Sequence, residues 1–171
     1  MAKKRGSGLV LTSHHPKLGY FALLSRRGTY NWETMTPESY PGACQVTCHG
    51  GLEEGEDFRA ALFRESGQEL GIHFANALRL HESELRQVGY KNDDRAEVVT
   101  EGLHVDFELI EMIFADRGSA NFVPCTMEQA RNMRKLHPKD DKEKGVTDGS
   151  IAMFGDEMEA VVQALDDIVG S

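Results

Sequence analysis

The stretch that most constrains this chain runs from His49 to Phe74, HGGLEEGEDFRAALFRESGQELGIHF. It opens on Gly50 and Gly51 and carries Glu53, Glu54 and Glu56 in a polar turn. A helical run with Arg64, Glu65, Gln68 and Glu69 follows and stops at Gly71. Asp57 is a good N-cap type and Gly71 a good stop, so a helix is expected over 57–71. At about 100° per residue, Phe58, Leu62, Glu65 and Glu69 fall on one face, with Gln68 beside them. Ala60, Phe63, Gly67 and Leu70 mark a second face that can pack, so the helix is expected to be sandwiched. Carboxylates three and four residues apart repel unless something cationic sits among them. The simplest occupant is a divalent metal held by oxygen ligands.

The flanks supply the rest of a layered fold. Residues 8–13 (GLVLTS), 20–25 (YFALLS) and 44–48 (CQVTC) have strand character, and the last delivers the chain into the Gly50–Gly51 turn. HHPKLG reads as a turn, with His14 and His15 in a solvated loop. The segment 28–42 reads as an irregular loop in which Trp32 and Tyr40 either stack on a ligand or cap a core edge. Residues 78–86 suit a strand, 88–95 a polar connection, and 97–100 and 103–115 two strands about a turn at Glu101–Gly102. In the second of these, Glu108 and Glu111 point to opposite faces. Thr126 and Gln129 form a capping box for a helix of about eleven residues. A charged, solvated excursion follows. Asp156 and Glu159 repeat the capping pattern for a last helix, whose Met158, Val161, Val162, Leu165, Ile168 and Val169 make one apolar stripe. The order predicts an α/β (α+β) fold with a central mixed sheet and helices packed on it.

Composition excludes several function classes. The 171 residues suit one domain with its own core, residues 1–171. With 19 Lys and Arg against 28 Asp and Glu, the net charge of −9 argues against a nucleic-acid backbone as the main partner. A small phosphorylated ligand remains open if a metal supplies positive charge. No apolar run marks a signal peptide or membrane span, so a cytoplasmic location is expected, with no membrane partner. Cys44, Cys48 and Cys125 are odd in number and form no CxxC pair, so reduced, packed cysteines are expected. No second Cys/His pair accompanies Cys44, Cys48 and His49, which argues against zinc.

Gly50, five residues, Glu56, seven residues, Arg64-Glu65, then Glu69, Gly71 and Ile72 resembles the Nudix box over 23 residues. Two positions depart from the pattern. Ser66 stands where an aliphatic residue is expected, and Gln68 replaces the first of paired glutamates. The resemblance implies a Nudix-type α/β/α sandwich and a hydrolase that cleaves the pyrophosphate bond of a nucleoside diphosphate linked to another moiety, or of a related diphosphate. It implies Mg²⁺ or Mn²⁺ held by Glu65, Glu69, Gln68 and Glu56, with Glu56, Arg64, Glu65 and Glu69 as the catalytic set. Gly50, Gly51 and Trp32 are the substrate-binding candidates, and a homodimer is compatible with the family. Because an amide brings no charge to a metal, Gln68 weakens one position. Glu97, Glu101, Glu108 and Glu111 are the candidates for a further carboxylate from outside the box. The same substitution opens an alternative, a catalytically weakened domain that binds a nucleotide or a protein. A second alternative follows from LLSRRG, SYPGACQVTCHGG and GE, followed by ELG with its single glutamate, which look like the isopentenyl diphosphate isomerase branch. There Cys48 and a later glutamate would move protons, although Arg64-Glu65 and Gly50-Gly51 depart from that branch.

Overall fold

The computed structural model describes residues 3–31 and 34–170. Its centre is β1 (Lys4–His15), a strand buried along most of its length. Successive side chains of a strand point to opposite faces, and both faces of β1 are covered. Leu9 and Leu11 join one core and Val10 the other. On one edge, β1 runs parallel to β8 (Ala96–His104) from Lys4↔Ala96 to Thr12↔His104. β8 is antiparallel to the edge strand β7 (Arg86–Asn92). The sheet is therefore mixed, as expected.

The opposite edge of β1 changes partner along its length. Its second half pairs with β2 (Gly19–Arg26) and its first half with β6 (Cys48–Gly51), both antiparallel. β2 in turn pairs with β5 (Cys44–Gln45) and β9 (Phe122–Thr126). Thr47 plugs the junction. Its hydroxyl accepts from the Leu11 backbone N–H at 2.8 Å and donates to the Leu23 carbonyl, so the switch leaves no orphaned backbone group there. Residues 44–48 thus form two short strands and not one. The interruption re-aims the chain so that Gly50 and Gly51 lie against Ser7 and Gly6.

Three helices cover one face: α1 (Phe58–Glu69), α2 (Ile72–Leu80) and α3 (Phe107–Arg117). Leu62, Phe74 and Ile110 meet Leu9, Leu11 and Leu23 in that core. On the other face, α4 (Met127–Arg131) and α6 (Gly155–Val169) pack Ala130, Val161 and Leu165 against Val10, Leu24 and Val88. The result is an α/β/α sandwich with α1 inside it. Ala60 is exposed, and the packed face of α1 is Ala61, Leu62, Phe63 and Ser66. Among the described residues no helix is long and apolar enough to cross a membrane.

Several expectations from the sequence are corrected. Residues 78–86 are not a strand; α2 runs to Leu80 and a 3₁₀ turn spans Glu82–Glu84. The polar connection at 88–95 is largely β7. Glu101–Gly102 is no turn, because β8 runs straight through it. Gly102 is needed there for close approach, since a β-carbon on it would lie 2.7 Å from the Val88 side chain. Residues 107–117 are α3, so Glu108 and Glu111 share a helix and do not oppose each other across a strand. The capping box at Thr126 and Gln129 is present, but its helix ends at Arg131. α6 is capped by Phe154 and not by Asp156.

The HHPKLG turn is shorter than expected, with His14 and His15 still in β1. Within 28–42, a small hairpin joins β3 (Tyr30–Asn31) to β4 (Thr36–Pro37). The charged stretch after α4 is partly ordered. β10 (Arg134–Lys135) pairs with β11 (Ala152–Met153), and α5 (Asp141–Lys144) lies between them. Buried Asp141 accepts two hydrogen bonds from Arg134 and one from the His137 N–H. Tyr40 takes the second of its two expected roles. Its ring packs edge-on to Phe154 at 4.9 Å and closes a small core of Ala43, Leu136, Val146 and Ala152. Trp32 lies outside the described residues.

Candidate functional site

The glycine turn ends β6, and the acidic loop that follows returns on itself. The Glu56 N–H donates to the Glu53 carbonyl, and the Glu53 N–H donates to the Glu56 carboxylate at 2.9 Å. Asp57 then caps α1 by accepting from the Ala60 N–H at 2.7 Å. The loop and helix are thereby each fixed locally, with the Glu56 carboxylate already part of the loop's own bonding.

Arg64 is the hub. Its Nε and Nη2 each donate at 2.9 Å to one oxygen of Glu56, a bidentate pair. Nη2 also donates to the Gly51 carbonyl at 2.7 Å. Nη1 reaches Glu65 at 2.6 Å and Gln68 Oε1 at 3.3 Å. Hydrogen bonds from Arg64 and the Glu53 backbone hold Glu56 down at a pKa of about 2, and the surrounding carboxylates hold Arg64 firmly protonated. One guanidinium therefore ties the glycine turn, the acidic loop and the helix together.

Glu65 and Glu69 flank the strand end that carries the glycines. Glu65 lies so close to Gly50 that a β-carbon there would sit 1.9 Å from its carboxyl carbon. Glu69 accepts from the His49 backbone N–H at 3.1 Å. Gln68 is exposed, beside Arg64. At the far end, Gly71 has φ +103°, and Arg117 donates to the carbonyls of Gly67 and Gln68, two of the groups that a helix end leaves open. Ser66, the polar residue at the aliphatic position of the pattern, is fully buried near the Cys48 thiol, and among the described residues its Oγ has no hydrogen-bond partner within bonding geometry.

As a donor set, Glu56, Glu65, Glu69 and Gln68 fit a hard divalent cation in charge and chemistry, since all offer oxygen. The side chains are drawn to Arg64 and to the His49 backbone. Among the described residues no three His, Cys, Asp or Glu side chains converge as they would on an ion. The zinc reading of Cys44, Cys48 and His49 finds no such cluster either. All three cysteines are free and buried. Burial, with Glu69 close by, pushes the Cys48 thiol well above its usual range. Because Cys48 is fully enclosed, the isomerase reading gains nothing from it.

The four carboxylates considered outside the box separate into two kinds. Glu97 is paired with Arg5 at 3.1 Å, and Glu101 with Arg59 at 3.0 Å. Glu108 and Glu111 line a different hollow with His14, His15 and His104. None of the four is brought to the box as an uncommitted group. Two further hollows meet at His49. One, of about 900 Å³, lies over Gly50, Gly51 and the acidic loop and is bordered by Lys3, Lys4 and Arg5. The other, of about 540 Å³, lies between the sheet and α6 and is lined by Arg27, Val88, Lys91 and Glu157. Desolvation, with the Arg27 charge nearby, holds His49 below the usual imidazole range. Glu157 was not visible as a site residue, because in sequence it reads only as first-turn acid on an amphipathic helix.

An α/β/α sandwich whose central helix meets a glycine turn through an Arg–Glu hub defines a recognisable class. Among solved structures, a mutT/nudix family protein from Listeria innocua is 16% identical. The match covers 99% of this chain and 96% of that one, with a TM-score of 0.63. A MutT/nudix family protein from Enterococcus faecalis is 11% identical, over 100% of this chain and 64% of that one, with a TM-score of 0.53. The chain has the Nudix fold. No protein-family model matches the sequence, and no curated protein is similar enough to count as a relative.

Proposed function

We propose that this chain is a divalent-metal-dependent hydrolase that cleaves the pyrophosphate bond of a nucleoside diphosphate linked to another moiety, or of a related diphosphate. The observation that carries this reading is the packing of the Glu65 carboxyl against Gly50, with Glu69 on the adjacent His49 N–H. It sets two carboxylates beside a strand end that lacks side chains, where a diphosphate approaches the backbone closely.

Glu65 and Glu69 would hold Mg²⁺ or Mn²⁺, with Glu56 and the Gln68 amide oxygen as further donors. When bound, such an ion neutralises the diphosphate, polarises its P–O bonds and lowers the pKa of water. Arg64 keeps Glu56 ionised and holds the loop against α1, so the donors keep their places through turnover. Gly50 and Gly51 leave room for the phosphates, and Lys3, Lys4 and Arg5 border the hollow with positive charge. The moiety attached to the diphosphate would occupy the neighbouring cleft beyond His49. The reading is tested by incubating the protein with a panel of diphosphate compounds, with and without Mg²⁺ or Mn²⁺. Metal-dependent release of a phosphorylated product that Glu69→Gln abolishes supports it, and no release across the panel refutes it. A binder without turnover is the second reading, favoured by Gln68. Calorimetry showing tight binding of the same compounds without cleavage would establish it.

A further inference from the structure

Two residues that line the cleft between the sheet and α6 carry polar atoms that the fold leaves without partners. Glu157 lines it, and its Oε2 is shielded from solvent with no hydrogen-bond partner. The nearby Val46 backbone N–H eases the cost of ionising the carboxylate, but nothing in the fold serves Oε2. Arg27 also lines the cleft. It spends Nη1 on Glu38 at 2.7 Å and on the Ser39 carbonyl, while its Nε is equally shielded and unpaired. The two side chains do not pair with each other, since the ion pair of Arg27 goes to Glu38. A buried acceptor and a buried donor without partners are both costly, and native structures rarely keep such groups without a use.

The cleft has the build of a recognition site. Its volume of about 540 Å³ lies within the usual range for small-molecule pockets. Val46, Val88 and Val98 give it apolar walls. Its charged groups are Arg27, Lys91 and the acidic residues of α6. Lys91 is committed to Asp156 at 3.2 Å, so neither of these is an open charge.

We propose that Glu157 and Arg27 are the specificity pair of this cleft, and that the group they take is a cyclic amide. On binding, the two side chains turn from their shielded positions into the cleft, where the ring N–H donates to Glu157 Oε2 and the neighbouring carbonyl accepts from Arg27 Nε. Other ligand groups satisfy the pair less well. An alkyl chain leaves both atoms unmet, a carboxylate is repelled by Glu157, and an ammonium group leaves Arg27 Nε without an acceptor. Sugar hydroxyls meet both atoms but sit poorly against three valines. A flat lactam or imide ring meets the donor, the acceptor and the apolar walls together. This assignment rests on the diphosphate-hydrolase reading of the box, because His49 lines both hollows and places the cleft next to the phosphate site.

The test is calorimetry on the full chain at pH 8 in EDTA, with UDP against its 3-methyl derivative and IDP against its 1-methyl derivative. Methylation removes the ring N–H and leaves the phosphates unchanged. At least one parent compound is expected to bind 10-fold or more tightly than its methylated form. Glu157→Leu should erase that preference by weakening the parent only, and Glu157→Gln, which keeps an acceptor oxygen, should retain part of it. Equal binding of parent and methylated forms in both pairs overturns the proposal. So does a preference that survives in Glu157→Leu, or an absence of binding by all four compounds. Turnover plays no part in the readout. A protein that discriminates but never cleaves refutes the hydrolase alone, and one that cleaves without discriminating refutes the pair alone.

Discussion

The Glu65 carboxyl carbon lies 1.9 Å from the point where a β-carbon on Gly50 would stand. The Glu65 Cγ would lie 2.3 Å away as well, so an added methyl turns the whole Glu65 side chain aside about its Cα–Cβ bond and leaves the backbone in place. Gly50→Ala is therefore expected to unfold within about 0.5 kcal/mol of the wild type. The metal-dependent hydrolysis proposed for the chain should nevertheless fall about 100-fold, the scale of a 1 Å misplacement. Urea denaturation beside a turnover assay checks both halves. A large loss of stability would show that the glycine serves the fold.

Gly71 is the opposite case. Its φ of +103° belongs to glycine, and a methyl there would lie 2.4 Å from Asp116 Oδ2 and 2.7 Å from the Asp116 β-carbon. That β-carbon cannot swing aside as a carboxylate can. Gly71→Ala should cost about 1–3 kcal/mol in a urea melt. A neutral result would mean that α2 re-docks freely.

The contrast between these glycines bears on what the sequence made legible. The box, the Asp57 cap, β1, β2 and the capping box at Thr126 rest on local spacing and were readable. α2 begins one residue after Gly71 with no side-chain cap, so nothing local announces a second helix. FELIEMIFADR reads as an alternating strand because its aromatic and β-branched residues suit either structure. Its burial of Ile110 and Ile113 is set by α2 and the sheet, which no local pattern records. Gly102 and Gly89 look like turn residues. They sit instead inside β8 and β7, where a β-carbon would strike Val88 or Ala160. Glu157 was hidden for a related reason, because only the packing of α6 onto the sheet makes it a cleft residue.

Arg64 supplies a prediction about acid. The folded pKa of Glu56 is about 2 against an ordinary 4.5, with the Arg64 hydrogen bonds the largest cause. A depressed carboxylate stabilises the fold above its unfolded pKa and loses that contribution as pH falls through the folded value. The unfolding free energy of the wild type should therefore drop more steeply between pH 4.5 and 2 than that of Arg64→Gln. Urea melts across that window compare the two slopes, and equal slopes would remove Arg64 as the cause.

Gln68 marks the departure from the box pattern and sits beside Arg64 at the mouth of the donor set. A glutamate there adds one negative charge without changing the side chain's length. A single negative charge about 4 Å from a divalent ion in water is worth about 2 kcal/mol, or roughly thirtyfold in affinity. Gln68→Glu is expected to tighten Mn²⁺ binding by about that factor, and Gln68→Met should not tighten it. Titration followed by electron paramagnetic resonance reads free Mn²⁺ directly. Unchanged affinity would place the ion elsewhere.

Glu157 predicts a pH dependence of opposite sign to that of Glu56. Burial is the main cause of its pKa of about 7, and Asp156 pushes the same way against the smaller pull of Arg27, the Val46 N–H and Lys91. The folded state therefore holds its proton to higher pH than the unfolded state, whose value is near 4.5. Below pH 4.5 both states are protonated and nothing is lost. As pH rises from 4.5 to 7 the unfolded chain ionises first, and folding is progressively disfavoured, up to about 3 kcal/mol for the full shift. Glu157→Gln cannot ionise, so its stability relative to the wild type should rise across that window and level off above pH 7. A bound group that donates to Oε2 should lower the pKa and flatten the wild-type profile. Urea melts from pH 4 to 8, with and without the tighter-binding nucleotide, measure both effects. If the difference between wild type and Glu157→Gln stays constant with pH, the carboxyl is not desolvated.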